Sequence, residues 1–219
     1  MKLVIQILLW IVIIFLGYKL YKSVIGPVEF NKVKEARYIN VIKTLKDIRS
    51  AELAHQEITG SFTGNFDSLV RFIDTAQFAL VERRDTSYAD VEKNKAYGID
   101  EGYFIEEIIL DTLGYTAVKD SLFGTSDRYK NMMNVPGTEG AKFSLEAGKV
   151  EKSGIVYSVF EAKVDKGIIL EGQDKDLIIQ EKQASSVDGV RGPYVKVGSM
   201  NDIDTSGNWS KLYDTATKN

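Results

Sequence analysis

The sequence has no cysteine, one histidine and three prolines among its 219 residues. The lack of cysteine excludes disulfide bonds, thiol nucleophiles and cysteine-ligated metal sites. Because His55 is the only imidazole, there is little material for a histidine metal site or for general base catalysis. No glycine-rich phosphate-binding loop is present either. These absences predict a protein that is not an enzyme and that needs no cofactor.

The chain also lacks an excess of basic charge. Its formal net charge is −3 and its isoelectric point is about 5.4, so no global positive field attracts nucleic acid. Charged residues make up 27% of the chain and hydrophobic residues 44%, which is ordinary for a globular protein. We therefore expect a folded domain with a core and no nucleic-acid partner.

The longest apolar segment covers residues 3–18, where Gln6 is the one strongly polar side chain. As a helix this segment spans about 24 Å, and the snorkelling of Lys19 extends the span through Tyr21 to about 29 Å, near the ~30 Å of a hydrocarbon core. We predict a membrane anchor over residues 1–26. The residues predicted to contact the lipid bilayer are Leu3, Ile5, Leu8, Trp10, Ile13, Phe15 and Tyr18.

Bulky and charged residues follow this apolar segment. A cleaved signal peptide would need small residues there, and a soluble core helix is rarely apolar on every face. The sequence therefore favours an uncleaved single-pass anchor, with the signal peptide and the buried helix as alternatives.

The basic residues on either side of the anchor bear on its orientation. The N-terminal side has Lys2 and the terminal amine, whereas five basic residues follow the span: Lys19, Lys22, Lys32, Lys34 and Arg37. Since basic residues near a span are enriched on the cytoplasmic side, this count alone predicts a cytoplasmic domain.

A second helix is predicted beyond the anchor. Gly26-Pro27 is expected to end the first helix and to start the next, because proline lacks an N–H and suits a first turn. Residues 29–59 then show amphipathic spacing of three and four. The face predicted to pack on the protein's own sheet contains Val41, Leu45, Ile48 and Leu53, and the polar face contains Lys32, Glu35, Lys43, Lys46, Asp47 and Glu52. The alternative is self-association of residues 30–41 in a coiled coil.

Several shorter elements are predicted next. Gly60 should stop the long helix, and Asn65 should cap a short helix to Ile73. Strands are predicted at residues 78–81, 103–110 and 115–118, with a polar insertion at 82–94, a turn at 111–114 and a loop at 124–140. In the C-terminal part we expect strands at 142–145, 149–150, 155–163 and 194–197, and a helix capped by Asp174 through Gln183.

These elements predict an α+β fold: an N-terminal transmembrane helix, a long amphipathic helix on an antiparallel sheet, and a β-rich C-terminal part. The predicted divisions are an anchor over residues 1–26, a stalk with the first α+β part over 27–135, and the β-rich part over 136–219. The last two are either separate modules or one continuous domain.

Residues 41–55, with the turn at 60–63 and the segment 66–70, resemble type IV pilins and type II secretion pseudopilins. In those families an apolar helix continues into an amphipathic helix that packs on an antiparallel sheet. The acidic tail 202–209, ending in Trp209, is similar to the tail of major pseudopilins. The whole chain also resembles a family of single-span Gram-negative envelope proteins. The chain departs from pilins in lacking the glycine of a leader cleavage site and a glutamate near the start of the apolar helix.

The resemblance implies a bacterial inner-membrane protein whose domain lies in the periplasm, opposite to the side that the basic residues predict. Its implied partners are other envelope proteins or further copies of the chain.

The best candidate ligand site lies in the tail. Asp202, Asp204 and Ser206 carry oxygen atoms at alternate positions before a glycine, as in loops that bind calcium. The twelfth position of such a loop should be Glu but is Tyr213, so a plain polar turn is the other interpretation. His55 is interpreted as structural, and an acidic cluster is interpreted as a solvated face: Asp100, Glu101, Glu106, Glu107 and Asp111.

Two functions follow from the sequence. The first is a membrane-anchored structural or assembly protein of the cell envelope that acts through protein–protein contacts. The second is a membrane-tethered ligand- or calcium-binding module.

Overall fold

The computed structural model describes residues 2–100, 102–183 and 189–216. The fold is α+β, as predicted. The helices are α1 (Lys2–Thr59), α2 (Phe66–Thr75), α3 (Val91–Ala96), α4 (Val118–Phe123), α5 (Lys166–Ile169), α6 (Lys175–Gln183) and α7 (Lys211–Ala216), with one 3₁₀ turn at Arg128–Asn131. The strands are β1 (Gln77–Ala89), β2 (Phe104–Ala117), β3 (Ser144–Lys152), β4 (Ile155–Asp165) and β5 (Tyr194–Gly198).

The chain divides into two compact units. The first contains Met1–Val70 and Asp127–Asn219, and the second contains Arg71–Ser126. The second unit is therefore inserted into the first, a division that differs from the sequential boundaries at residues 26 and 135. In the first unit β3, β4 and β5 form an antiparallel sheet in that order, and in the second unit β1 pairs with β2 alone.

Helix α1 runs without interruption for 58 residues and contains Pro27. The prediction of a break at Gly26-Pro27 is thus wrong. A proline inside a helix removes one backbone hydrogen bond and crowds the preceding turn, and helices accommodate this when the turns on both sides are well formed. The end of α1 agrees with the prediction, because Gly60 follows with a φ of 80° that suits a glycine C′ position.

The second half of α1 packs on the three-stranded sheet, as predicted. Tyr38, Val41, Ile42, Leu45 and Ile48 of α1 are fully buried. The sheet contributes Phe160, Val195 and Val197, which are at most 1% exposed. Burial of one complete helix stripe against one sheet face is the main source of apolar stabilisation in this unit.

Two predicted helix caps are confirmed. The Asn65 Oδ1 accepts a hydrogen bond from the Ser68 N–H at 3.0 Å, at the start of α2. The Asp174 Oδ1 accepts one from the Asp176 N–H at 2.9 Å, at the start of α6. In both places a side-chain oxygen satisfies an N–H that the first helical turn leaves without a backbone partner.

The C-terminal strands are longer than predicted. Residues 144–152 form one strand, β3, which a tight turn at Ser153-Gly154 joins to β4. Ser153 and Gly154 have φ values of 55° and 78°, the left-handed pair that a two-residue hairpin turn requires. The predicted strand 194–197 is confirmed as β5.

The second unit departs most from the sequence prediction. Residues 82–89, predicted as part of a polar insertion, continue β1, and residues 91–96 form α3. The predicted turn at 111–114 is instead part of β2. Opposite this segment, the pairing register shifts between Leu80 and Val81 of β1. Leu80 pairs with Gly114 and Val81 with Thr112, so Leu113 is the extra residue of a β-bulge.

The loop predicted at 124–140 contributes to the core. Its 3₁₀ turn carries Tyr129, which is fully buried, and the neighbouring Met132 and Val135 are nearly so. The Arg128 guanidinium donates to the Asp47 carboxylate of α1 at 2.8 Å, which ties this loop to the helix.

Candidate interaction surface

The paired strands β1 and β2, called the ribbon below, form an antiparallel sheet of two strands. Their pairing extends from Gln77 opposite Ala117 to Ala89 opposite Phe104. Within the described residues, each strand therefore has one edge without a strand partner. No residue of either strand is buried. Most two-stranded ribbons of this kind are marginal in water unless a further layer covers them.

Large apolar side chains are exposed on both faces of the ribbon. Because neighbouring side chains of a strand point to opposite faces, the register assigns them to two sets. One face carries Val81, Phe104, Ile108 and Leu110, and the other carries Tyr88, Ile105 and Ile109. All seven are between 40% and 62% exposed. Exposed apolar surface of this extent on both sides of a sheet is typical of an interaction site.

The charged residues of the ribbon pair with one another at the surface. The Arg83 guanidinium lies 3.1 Å from the Asp85 carboxylate, and the Arg84 guanidinium lies 2.7 Å from the Glu82 carboxylate. These pairs are solvent-exposed, so each contributes less than about 1 kcal/mol to folding. Because these charges are paired within β1, the exposed apolar side chains are the main groups that either face offers to a partner.

The connection between the two strands is held by an asparagine that sequence reasoning missed. The buried Asn94 of α3 accepts a hydrogen bond from the Tyr103 N–H at 2.8 Å and donates one to the Tyr103 carbonyl at 3.1 Å. Asp90 caps α3 by accepting from the Lys93 N–H at 2.9 Å. These hydrogen bonds fix the backbone where β1 ends and where β2 begins. The acidic residues Glu106 and Glu107 of β2 point to opposite faces, and Glu101 lies outside the described residues.

The predicted anchor residues all lie on the first part of α1. Every apolar side chain from Leu3 to Leu16 is at least 44% exposed, and Tyr18 is 61% exposed. The segment has a mean hydropathy of 2.4 over 18 residues, none of which is buried. By length and composition α1 is a single candidate transmembrane helix. Lipid is the medium in which such a surface is stable.

The predicted packing face of α1 is largely confirmed. Val41, Leu45 and Ile48 are fully buried, whereas Leu53 is only partly buried. Glu52, predicted on the polar face, is instead fully buried, because it continues the same stripe one turn after Ile48. Phe30, Tyr38 and Val41 are also covered by the chain itself, which removes them from the alternative coiled-coil seam.

Glu52 is the most unusual titratable group of this face. Its Oε2 accepts a hydrogen bond from the Thr63 N–H at 3.0 Å, while its Oε1 has no hydrogen-bond partner in the part of the chain that the structure describes. Burial raises the pKa of this carboxyl to about 8, against the opposing effect of the Thr63 hydrogen bond. A neutral carboxylic acid at position 52 is therefore the stable form at neutral pH.

A buried lysine joins α5 to α6. The Lys166 ammonium is fully buried and donates to the Glu181 Oε1 at 3.0 Å and to the Val190 carbonyl at 2.8 Å. The Tyr38 hydroxyl donates to the same Glu181 oxygen at 3.3 Å. Burial lowers the pKa of Lys166, and the Glu181 carboxylate opposes that shift. The ammonium also donates to the Glu181 carbonyl at 2.8 Å, so the protein itself supplies three acceptors for it. We therefore interpret this network as structural.

The tail residues are already hydrogen-bonded within the protein. The Asp202 Oδ1 accepts from the Lys152 ammonium at 2.9 Å, and the Asp204 Oδ1 accepts from the Ser206 hydroxyl at 2.7 Å. These hydrogen bonds lower the pKa of both carboxyls. Among the described residues no three acidic or histidine side chains form a group suited to a metal ion. A calcium loop and a plain polar turn are the two interpretations of this segment, and these hydrogen bonds favour the polar turn.

His55 is placed by local contacts at the end of α1. Its Nδ1 lies 2.6 Å from the Ser61 carbonyl and 3.0 Å from the Thr59 hydroxyl. Thr59 is the last residue of α1 and Ser61 belongs to the turn that follows it, which agrees with the structural interpretation.

Comparison with known proteins adds no assignment to this geometry. No protein-family model, no curated protein and no solved structure matches the chain. The surface features of the ribbon and of α1 therefore carry the functional interpretation.

Proposed function

We propose that this chain is a single-pass membrane-anchored assembly protein of the bacterial cell envelope, pilin- or pseudopilin-like in organisation. It acts through protein–protein contacts made by the ribbon. The observation that carries the proposal is the set of apolar side chains exposed on both faces of a sheet that has two edge strands.

The ribbon offers a partner two kinds of contact. An edge strand presents backbone N–H and C=O groups to which a further strand can hydrogen-bond. The adjacent faces add apolar area, and residues such as Leu110 and Ile108 would lose contact with water in the complex. Strand addition with apolar packing is a common way for one protein chain to bind another.

The architecture of α1 supports the assembly role. Its exposed apolar part suits a bilayer, and its second part is fixed to the sheet by a buried stripe. A partner that binds the protein is therefore held at a membrane. The same arrangement, an apolar helix that continues into a helix packed on an antiparallel sheet, is what the resemblance to pilins and pseudopilins implies.

We place the domain in the periplasm on the basis of that resemblance. A fusion of a compartment-dependent reporter to the C-terminus measures this directly. Activity of a periplasmic reporter supports the placement, and activity of only a cytoplasmic reporter would reverse it, in line with the basic residues after the span.

Photo-crosslinking in cells tests the contact surface. A photoreactive residue at position 110 samples one face of the ribbon, and one at position 105 samples the other face. The same residue at Lys149, an exposed polar position of β3, is the control. We expect adducts from the two ribbon positions and none from the control. An adduct of twice the 24.5 kDa chain mass identifies self-association, and any other mass identifies a different protein. Equal yields at all three positions would rule out the ribbon as the contact surface.

A further inference from the structure

A cleft of about 590 Å³ lies between α1 and the start of α6, within the first compact unit. Its α1 wall extends from Lys19 to Phe30, and its other wall is formed by residues 172–180. The ribbon contributes nothing to this cleft. Among its lining residues, Phe30 belongs to the packed part of α1 and Asp174 caps α6.

The cleft begins where the candidate transmembrane segment ends. Lys19 follows the apolar residues 3–18 directly, and its ammonium lies 5.8 Å from the centre of the Phe15 ring, one turn back toward the apolar segment. The polar headgroup layer of one leaflet is about 5–8 Å thick, which corresponds to about four or five residues of helix rise. The part of the cleft next to Lys19 and Lys22 therefore lies at headgroup depth.

The charges of the cleft are ordered along α1. The two lysines, Lys19 and Lys22, occupy the end nearest the membrane, and Glu29 lies two to three turns farther out. Asp174 and Asp176 from the start of α6 complete the lining charges, which gives two cations and three carboxylates. In the described part of the chain no ion pair engages Lys22, Glu29 or Asp176. A ligand that places an anionic group at the two lysines therefore has carboxylates in the same cleft to which a cationic group can bind.

We infer that this cleft binds the phosphoethanolamine headgroup of a membrane phospholipid, an inference that rests on the membrane anchoring in the proposed function. The phosphate of such a lipid lies next to the glycerol, and its ammonium lies two carbons farther from the acyl chains. Phosphate at Lys19 and Lys22, with ammonium directed to the carboxylates, reproduces the order of charges in the cleft. Ser23 and Gln173 supply additional hydrogen-bonding groups.

The same charges discriminate between phospholipids. A phosphatidylglycerol headgroup has no cation to offer Glu29 or Asp176. A phosphatidylcholine headgroup carries its cation but has no N–H donor for a carboxylate, and three methyl groups surround its nitrogen. We therefore expect phosphatidylethanolamine to bind in preference to both.

Native mass spectrometry of the full chain in mild detergent tests the inference, with the three phospholipids supplied at equal acyl-chain length. We expect Asp176→Asn to weaken phosphatidylethanolamine binding by about fivefold to tenfold, the range for loss of one charge-assisted contact, without weakening phosphatidylglycerol binding. Lys22→Gln should weaken both lipids. Lys32→Gln, at an exposed lysine of α1 outside the cleft, is the matched control and should change neither.

The outcomes separate this inference from the anchoring on which it rests. Flotation with liposomes reports anchoring, and ribbon crosslinking reports assembly. If the chain floats but binds the three lipids equally, or if Asp176→Asn leaves phosphatidylethanolamine binding unchanged, the headgroup inference is wrong and the proposed function stands. If the chain does not float, both the anchoring and the headgroup site are wrong.

Discussion

The two antiparallel sheets of this molecule differ in how their apolar residues are used. In the three-stranded sheet, Val159, Phe160 and Ala162 of β4 are at most 3% exposed. In the ribbon no residue of β1 or β2 is buried, although its strands are longer than those of the other sheet. Helix α1 covers the first sheet and supplies the layer that a sheet needs for a core.

This difference shows that strand pairing and core formation are separate requirements. Thirteen paired positions define the ribbon as a sheet through backbone hydrogen bonds and cross-strand contacts. The three-stranded sheet adds apolar burial to the same pairing. The ribbon should therefore tolerate side-chain truncation with little loss of stability while losing affinity for a partner, and the covered sheet should show the reverse.

The largest expected effect compares two leucines, one from each region. Leu45→Ala removes a fully buried side chain from α1 and should lower the free energy of unfolding by about 2–5 kcal/mol, through lost burial and a residual cavity. Leu110→Ala, at a leucine that is 62% exposed in the ribbon, should cost less than about 0.5 kcal/mol. Denaturant titration of the detergent-solubilised chain measures both. Similar losses would mean that the ribbon is covered within the monomer.

The next effect concerns pH and the buried Glu52. Its folded-state pKa of about 8 lies above the ordinary carboxyl value of 4.5, so between these values the folded state holds a proton that the unfolded state releases. Stability from this group is complete below pH 4.5 and is lost as the pH rises toward 8. The loss from pH 5 to pH 8 should be on the order of 3 kcal/mol.

The variant Glu52→Gln, which is neutral at every pH and similar in shape, should remove this part of the pH dependence. Glu107→Gln, at an exposed carboxylate of the ribbon, is the control and should keep the wild-type slope. Thermal melts across the pH range provide the measurement. A slope that persists in Glu52→Gln would assign the effect to another group.

A smaller effect compares two ion-paired carboxylates. Glu161 of β4 is 8% exposed and accepts hydrogen bonds from Lys163 at 2.8 Å and Lys196 at 2.6 Å. Burial acts to raise the pKa of Glu161, but these two hydrogen bonds outweigh it and hold the pKa below the ordinary value. Its stabilising effect is therefore present above the ordinary carboxyl pKa and is lost as the pH falls through the lowered one.

Glu161→Gln should cost about 1–3 kcal/mol at neutral pH, because it leaves two lysines with a weaker acceptor. Glu82→Gln, which breaks an exposed pair with Arg84 in the ribbon, should cost less than about 0.5 kcal/mol. Chemical denaturation of both variants at the same pH measures the two losses in free energy of unfolding. A larger loss for Glu82 than for Glu161 would contradict the contrast between the regions.

The smallest expected effect is at the tail. Because Lys152 already pairs with Asp202, and Ser206 with Asp204, we expect no change in melting temperature between calcium and a chelator. The double variant Asp202→Asn, Asp204→Asn should behave likewise. A calcium-dependent rise that the double variant abolishes would restore the calcium-binding module, since a ligand that binds only the folded state raises its stability.

The parts of the fold that were predictable from sequence are those where one face is buried. The spacing of Val41, Leu45 and Ile48 predicts the packed face of α1, and Asn65 and Asp174 mark helix starts by their chemistry. Glu52 was misassigned because its charge was weighed above its position in the same stripe.

The ribbon was only partly predictable, for a related reason: the strands predicted at 78–81, 103–110 and 115–118 are present in β1 and β2, but residues 82–89 and 111–114 were not predicted as strand. Periodicity predicts a strand when one face is apolar, and the ribbon has apolar and charged residues on both faces, so residues 82–89 read as a loop. The bulge at Leu113 sits in a stretch with turn-like composition, and the hydrogen bonds of Asn94 depend on a tertiary contact with Tyr103. None of these features has a local pattern of its own.

The continuity of α1 through Pro27 has a mechanical consequence. A helix of 58 residues is about 87 Å long, and its far half is fixed to the sheet by side chains that are fully buried. Rotation or tilting of the first part of the helix is therefore passed to the three-stranded sheet along a continuous backbone, in which Pro27 is the position that lacks one hydrogen bond. Within the first unit, one continuous helix therefore connects the candidate transmembrane segment to the residues that pack on the three-stranded sheet.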